Sequence, residues 1–242
     1  MTRFLSLPLA LTAALALSLT GCGGDDKKSG SAPSSTTPTP SATASTPSER
    51  TEITRTADEL TKALLVLQDL PSGFTLEADE PDDGAKAFSS SSSRCKTLVK
   101  YLNATKAPGS KASVSRSFSG SQEGPYIDFG LDSMGTAKEV ADLQETYADA
   151  VDSCTKVSLK TEGEANTSMK VEKISAPKVG TGGIAFRLTG TSGPKRGLEF
   201  SVATSGVGDV VVSVGILAGQ GSELDAATEA AVSKAHQVLK VA

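Results

Sequence analysis

Tryptophan is absent from the 242 residues, histidine occurs once, and Phe and Tyr together number ten. Stacking platforms for bases or sugar rings are therefore scarce. Basic clusters are missing as well. The 24 Lys and Arg stand against 28 Asp and Glu, a net charge of −4, which leaves no electrostatic footprint for nucleic acid. No G-x-S-x-G elbow is present, so His236, flanked by Ala235 and Gln237, has no nucleophile motif to serve. Gly180-Thr181-Gly182-Gly183 lacks the Lys-Ser/Thr ending of a phosphate loop. The acidic run Asp79-Glu80-Pro81-Asp82-Asp83-Gly84 lacks the spacing and closing Glu of an EF-hand and reads as a solvated loop. These absences point to a protein that is not an enzyme and uses no metal or cofactor.

What is present begins at the N-terminus. Arg3 supplies a short positive start, and Leu5 to Leu19 is an apolar run too short for a comfortable permanent span. It closes on Leu19-Thr20-Gly21-Cys22, which resembles the bacterial lipoprotein signal: Leu, a small residue, Gly or Ala, then Cys. The resemblance implies a diacylglyceryl group on the Cys22 thiol, cleavage before Cys22, and palmitate-type acylation of the freed amine. Two or more acyl chains give stable anchoring where one gives marginal binding. The expected address is the extracytoplasmic face of the cell membrane. The alternative is an ordinary signal peptide cut elsewhere, with Cys22 lost or free.

Composition divides the chain into three segments: 1–21 as signal peptide, 22–52 as a tether, and 53–242 as one extracytoplasmic domain. With Arg3 removed, 23 basic residues face 28 acidic ones, or −5. The tether is rich in Ser, Thr, Ala and Pro, a composition unable to bury enough apolar surface to offset ordering entropy. As a disordered coil it reaches roughly 30 Å, and stretched toward polyproline geometry ~80 Å.

The domain opens on a capping box, Thr56-Ala57-Asp58-Glu59, ahead of Leu60, Leu64 and Leu67 on one helical face. Leu70-Pro71-Ser72-Gly73 ends that helix. A second helix carries Cys95, Leu98, Val99 and Leu102. A third, capped by Thr136-Ala137-Lys138-Glu139, carries Val140, Leu143, Tyr147, Val151 and Cys154. Strand alternation recurs at Val114/Phe118, Ile127/Phe129/Leu131, Ile184/Phe186/Leu188 and Leu198/Phe200/Val202, and Val210 to Ile216 is the most apolar run. A terminal helix is outlined by Leu224, Ala227, Ala231, Ala235 and Leu239. Clean alternation predicts an α+β fold: a mainly antiparallel twisted sheet, one domain, helices packed on one face.

Cys95 and Cys154 lie on apolar faces of separate helices. In an exported chain whose Cys22 carries lipid, they form an even pair, and a structural disulfide is expected. Two inert buried thiols or a redox pair are the other readings, the last without a CxxC motif.

The order of elements resembles the extracellular PknH-type sensor domain of actinobacterial membrane kinases. The resembling residues are Leu64-Leu65 with Leu70-Pro71-Ser72-Gly73, Cys95, the Ala148 to Cys154 helix end, and Gly208-Asp209-Val210-Val211-Val212. The resemblance covers about residues 53–242 and implies a sensor-like module. That family's domain is commonly held by two disulfides, where this chain offers one.

Among polar side chains, Arg116 falls on the strand face of Val114 and Phe118, where an unpaired charge is costly. Arg187 and Glu199 sit on polar faces of neighbouring strands. These three are the candidate ligand-binding residues, against the plainer reading of a solvated sheet face. The functional expectation is a lipid-anchored, non-enzymatic ligand-binding or sensor module for a small-molecule, wall or lipid ligand. A lipid carrier with a hydrophobic cavity, or a scaffold for an envelope protein partner, are the alternatives.

Overall fold

The computed structural model describes residues 52–78 and 86–241. The Leu19–Cys22 motif, nearly all of the tether and the acidic run at Asp79–Gly84 lie outside the described residues.

The chain builds one antiparallel sheet of nine described strands in the order β1-β3-β4-β9-β8-β7-β6-β5-β2. Its long members are β3 (Ala112–Ser119), β4 (Tyr126–Ser133), β6 (Thr167–Ile174), β7 (Thr181–Ser192), β8 (Glu199–Val207) and β9 (Val210–Leu217). Short strands β1 (Thr75–Leu76), β2 (Phe88–Ser89) and β5 (Lys156–Leu159) finish the edges. Hairpins account for most neighbours, and the long-range pairing of β4 with β9 joins the two halves, from Tyr126↔Leu217 to Ser133↔Val210.

Register fixes which side chains share a face, because residues directly opposite one another project the same way. Leu131 lies opposite Val114 and Val212, and Phe129 opposite Val214, which in turn faces Ala203 and then Ala185. Helices α1 (Ala57–Ala63) and α4 (Gly221–Leu239) cover this face, and its core takes in Leu60, Phe118, Leu224 and Ala235. The other face carries Phe186, Leu188, Met169 and Val157 under α2 (Lys96–Leu102) and α3 (Ala137–Ser153). The α+β class, the antiparallel sheet and helices packed on it are as expected. The helices are divided between two faces, where one covered face was expected. The reason is visible in β8 and β9, buried along nearly their whole length on both sides. On β9 the second face alternates Val211 with the short Ser213 and Gly215, and Val211 and Gly215 are nevertheless buried.

The first helix is shorter than its Leu60/Leu64/Leu67 spacing predicts. It ends at Ala63, with Leu64 already extended at φ −65° and ψ 148°. Extended backbone lets consecutive Leu64 and Leu65 both bury, each 2% exposed, while Leu67 is left outside in a short 3-10 turn. The expected capping box is present: Thr56 Oγ1 accepts from the Glu59 amide at 3.2 Å, and Glu59 Oε2 accepts from the Thr56 amide at 2.8 Å. The Thr56 amide and hydroxyl, both donating to Oε2, hold the Glu59 carboxyl below its ordinary pKa.

Two long-range links complete the frame. Cys95 and Cys154 form a disulfide, S–S 2.08 Å, tying the start of α2 to the end of α3. Asp209 occupies the two-residue β8–β9 turn beside Gly208, whose φ of +59° and tight approach to Val241 suit glycine alone. Buried at 1% exposure, Asp209 accepts a forked set of bonds from Arg55, with Nε at 2.7 and 2.9 Å and Nη2 at 2.6 Å. Ile53 donates its amide to the Gly135 carbonyl at 2.8 Å in the same segment.

Candidate functional site

α3 lies over β6, β7 and β8. The β3–β4–β9 end of that face is left to the loop after α2, and a cavity of about 270 Å³ opens there. Its floor is built by register. Ser115, Gly130, Ser213 and Thr204 stand in one row across β3, β4, β9 and β8. Three strand spacings make that row roughly 14 Å wide. Short side chains leave the backbone close to the cavity, and Gly215 lets the Phe200 ring lie against it, 3.2 Å from where a Cβ would stand.

The wall is aromatic and aliphatic. Tyr101 near the end of α2 meets Tyr147 of α3 edge to face, centroids 4.8 Å apart at 81°. Tyr147 in turn meets Phe186 edge to face at 5.8 Å. Both tyrosines line the cavity with Leu143 and Gln144. Gln144 is held by donating Nε2 to the Thr181 carbonyl at 2.8 Å. Burial pushes both phenols up, Tyr147 far more than Tyr101. Each is thus a neutral hydroxyl at any physiological pH.

Two features of the floor are unusual. Thr204 is 5% exposed, and its hydroxyl has no hydrogen-bond partner among the described residues. An orphaned hydroxyl costs of order 1–3 kcal/mol unless something supplies the bond. Asp132, also 5% exposed, accepts one bond from the Ala107 amide at 3.0 Å. No Lys or Arg among the described residues lies within ion-pairing distance of it. Asp128 sits on the same face one row beyond Gly130, exposed, and Lys106 lies on the exposed loop at the rim. The arrangement is a pocket with a row of short polar side chains in its floor and an aromatic wall, and among the described residues no nucleophile–base pair lines it. Among the described residues no three His, Cys, Asp or Glu side chains converge as a metal site would require.

The sequence-derived candidates lie elsewhere. Arg116 projects to the α1/α4 face and donates Nη1 to the Leu65 carbonyl at 2.7 Å, fastening the end of α1 to β3. Arg187 and Glu199 are brought together at 3.7 Å, with Arg187 Nε also donating to Ser201 at 3.2 Å. They occupy the same face as Arg116, with Arg187 four strands away, roughly 19 Å. The cavity residues Tyr101, Tyr147, Asp132 and Thr204 were not legible as a site. Tyr147 reads as part of a helical core stripe, and Asp128 and Asp132 as the wet side of a strand. The faint signal was the excess of serine and glycine at alternate positions of three strands, Ser113, Ser115 and Ser117 with Gly130, Ser213 and Gly215.

No family model matches the chain, and no curated protein matches it. Among solved structures it is similar to the extracellular domain of PknH from Mycobacterium tuberculosis, with a TM-score of 0.56. Identity is 16%, over 77% of this chain and 98% of that one. The resemblance expected from the order of elements therefore holds at the level of the fold. No described helix is long and apolar enough to cross a membrane.

Proposed function

We propose that the chain is an extracytoplasmic, lipid-anchored and non-enzymatic ligand-binding module of the sensor type, with its ligand in the cleft between α3 and the β3–β4–β9 floor. The observation that carries this reading is the Thr204 hydroxyl, buried without a partner among the described residues in a cavity of about 270 Å³. The shared fold with an extracellular domain supports the address. The Leu19–Cys22 motif supports the anchor. A cavity of about 270 Å³ is too small to enclose a full acyl chain, which sets the lipid-carrier alternative behind this one.

A thermal-shift screen of wall fragments, sugars and metabolites tests the binding. Any binder stabilises by RT ln(1 + [L]/Kd), about 2.7 kcal/mol at a hundredfold excess over Kd. Ser213→Phe, a residue that suits a strand but fills the centre of the floor, is expected to abolish such shifts while leaving the ligand-free melting temperature within a few degrees. Shifts that survive Ser213→Phe would place the ligand elsewhere. The anchor is tested separately. Cys22→Ser should leave the domain folded and move it from the membrane fraction to the medium or soluble fraction. Continued processing and membrane retention of that variant would overturn the lipid reading.

A further inference from the structure

The chemistry of the cleft narrows the class of ligand, given the ligand-binding reading on which this inference rests. Asp132 is the informative residue. A carboxylate at 5% exposure normally has a cationic partner or several donors, since desolvating an unpaired charge costs several kcal/mol. Here its single protein bond comes from the Ala107 amide, to Oδ1, and Oδ2 has no partner among the described residues. A second carboxylate, Asp128, stands on the same face of β4, with Gly130 midway between the two. The nearby protein cation, Lys106, belongs to the exposed rim. Of the charged side chains that line the cleft, Asp132 alone is buried, and it has no cationic partner among the described residues.

The floor adds the second requirement. The row Ser115, Ser213 and Thr204 offers hydroxyls at strand spacing, and the Thr204 hydroxyl is already stripped of water without a partner among the described residues. A ligand that satisfies it must bring a hydrogen-bond donor or acceptor, which a polyol supplies in either role. Size supplies the third. About 270 Å³ lies just under the ~300 Å³ that marks the smallest drug-sized sites, room for a group of about one ring. The Tyr101–Tyr147 pair adds aromatic surface that favours a cation over an anion.

We propose that the cleft takes a monosaccharide-sized polyol bearing a free protonated amine, its ammonium against Asp132 and its hydroxyls along the Ser213–Thr204 row. A metal ion is a poorer fit, because three ligating side chains do not converge anywhere among the described residues.

Three sugars that share a ring and differ in charge test this: glucosamine (cation), N-acetylglucosamine (neutral) and glucuronate (anion). The full chain, purified in detergent with isotope-labelled tyrosine, is titrated with each at pH 6, following the Tyr101 and Tyr147 resonances. Glucosamine is expected to bind at least tenfold more tightly than the other two. Asp132→Asn keeps an acceptor for the Ala107 amide and should fold, yet it should bring glucosamine to within about twofold of N-acetylglucosamine. Thr204→Val, nearly isosteric, should weaken all binding sugars alike without unfolding the chain. If glucuronate or N-acetylglucosamine binds as well as glucosamine and moves Tyr147, the cleft is a ligand site and the amine assignment is wrong. If Asp132→Asn leaves glucosamine affinity unchanged, the assignment of the ammonium to Asp132 fails. If none of the three sugars moves either tyrosine, the amino-sugar proposal is overturned, while the broader ligand reading is judged by its own screen.

Discussion

Reducing the Cys95–Cys154 disulfide, or replacing both cysteines by alanine, is expected to cost roughly 4 kcal/mol, the chain-entropy value for closing a loop of about 60 residues. For a domain of this size that corresponds to a fall in melting temperature of roughly 8–16 °C. Urea unfolding with and without a thiol reductant measures it. The loss should also be uneven. α2 has seven residues, too few to stand as a helix on its own, and the disulfide joins the residue just before it to the residue just after α3. Freed of it, α2 should exchange its amides with solvent before α3 or the sheet does. Tyr101 and the loop that roofs the cleft lie at the far end of α2, so the reduced protein should lose ligand before it loses its sheet. A reduced protein that unfolds within about 1 kcal/mol of the oxidised one, with α2 still protected, would show that packing on Leu98 and Phe186 suffices without the bond.

Arg55→Ala is expected to destabilise by roughly 3–5 kcal/mol, the range for removing one partner of a buried ion pair. The mechanism is specific. Asp209 is 1% exposed in a two-residue turn and receives three close contacts from Arg55, with the Ser133 hydroxyl at 3.3 Å as its other donor. Deleting the guanidinium leaves a buried carboxylate with one hydroxyl for company. The double variant Arg55→Ala with Asp209→Asn should recover much of the loss, because the orphaned charge disappears. A single-variant cost under about 1 kcal/mol, typical of exposed pairs, would mean that water reaches Asp209. The pair matters beyond stability. Ser133, which touches Asp209, is the immediate neighbour of Asp132 in β4, so the point where the N-terminal segment is fastened adjoins the cleft.

Much of the architecture was legible because it rests on local patterns. The Thr56 and Thr136 caps, the alternation through β4, β7 and β8, and the apolar stripe of α4 each need only a few neighbouring residues to specify them. The Cys95–Cys154 pairing was legible from parity and compartment rather than from geometry. Where reading failed, a distant element had intervened. α1 stops four residues before Leu67 because burying both Leu64 and Leu65 against the sheet outweighs one more helical turn, and Arg116, from β3, holds the Leu65 carbonyl in that extended form.

The sequence by itself determined the class of fold, the order of the main elements and the cysteine pair, carried by short-range periodicity and by cysteine parity. The tertiary structure alone decided that helices cover both faces of the sheet, that Arg116 fastens the end of α1 to β3, and that Tyr101, Tyr147, Asp132 and Thr204 meet around one cavity. Those four residues come from four different elements, and register brings two of them to the same floor. A site assembled from strands paired across the sheet leaves no local pattern, because each contributing strand sees only its own alternation.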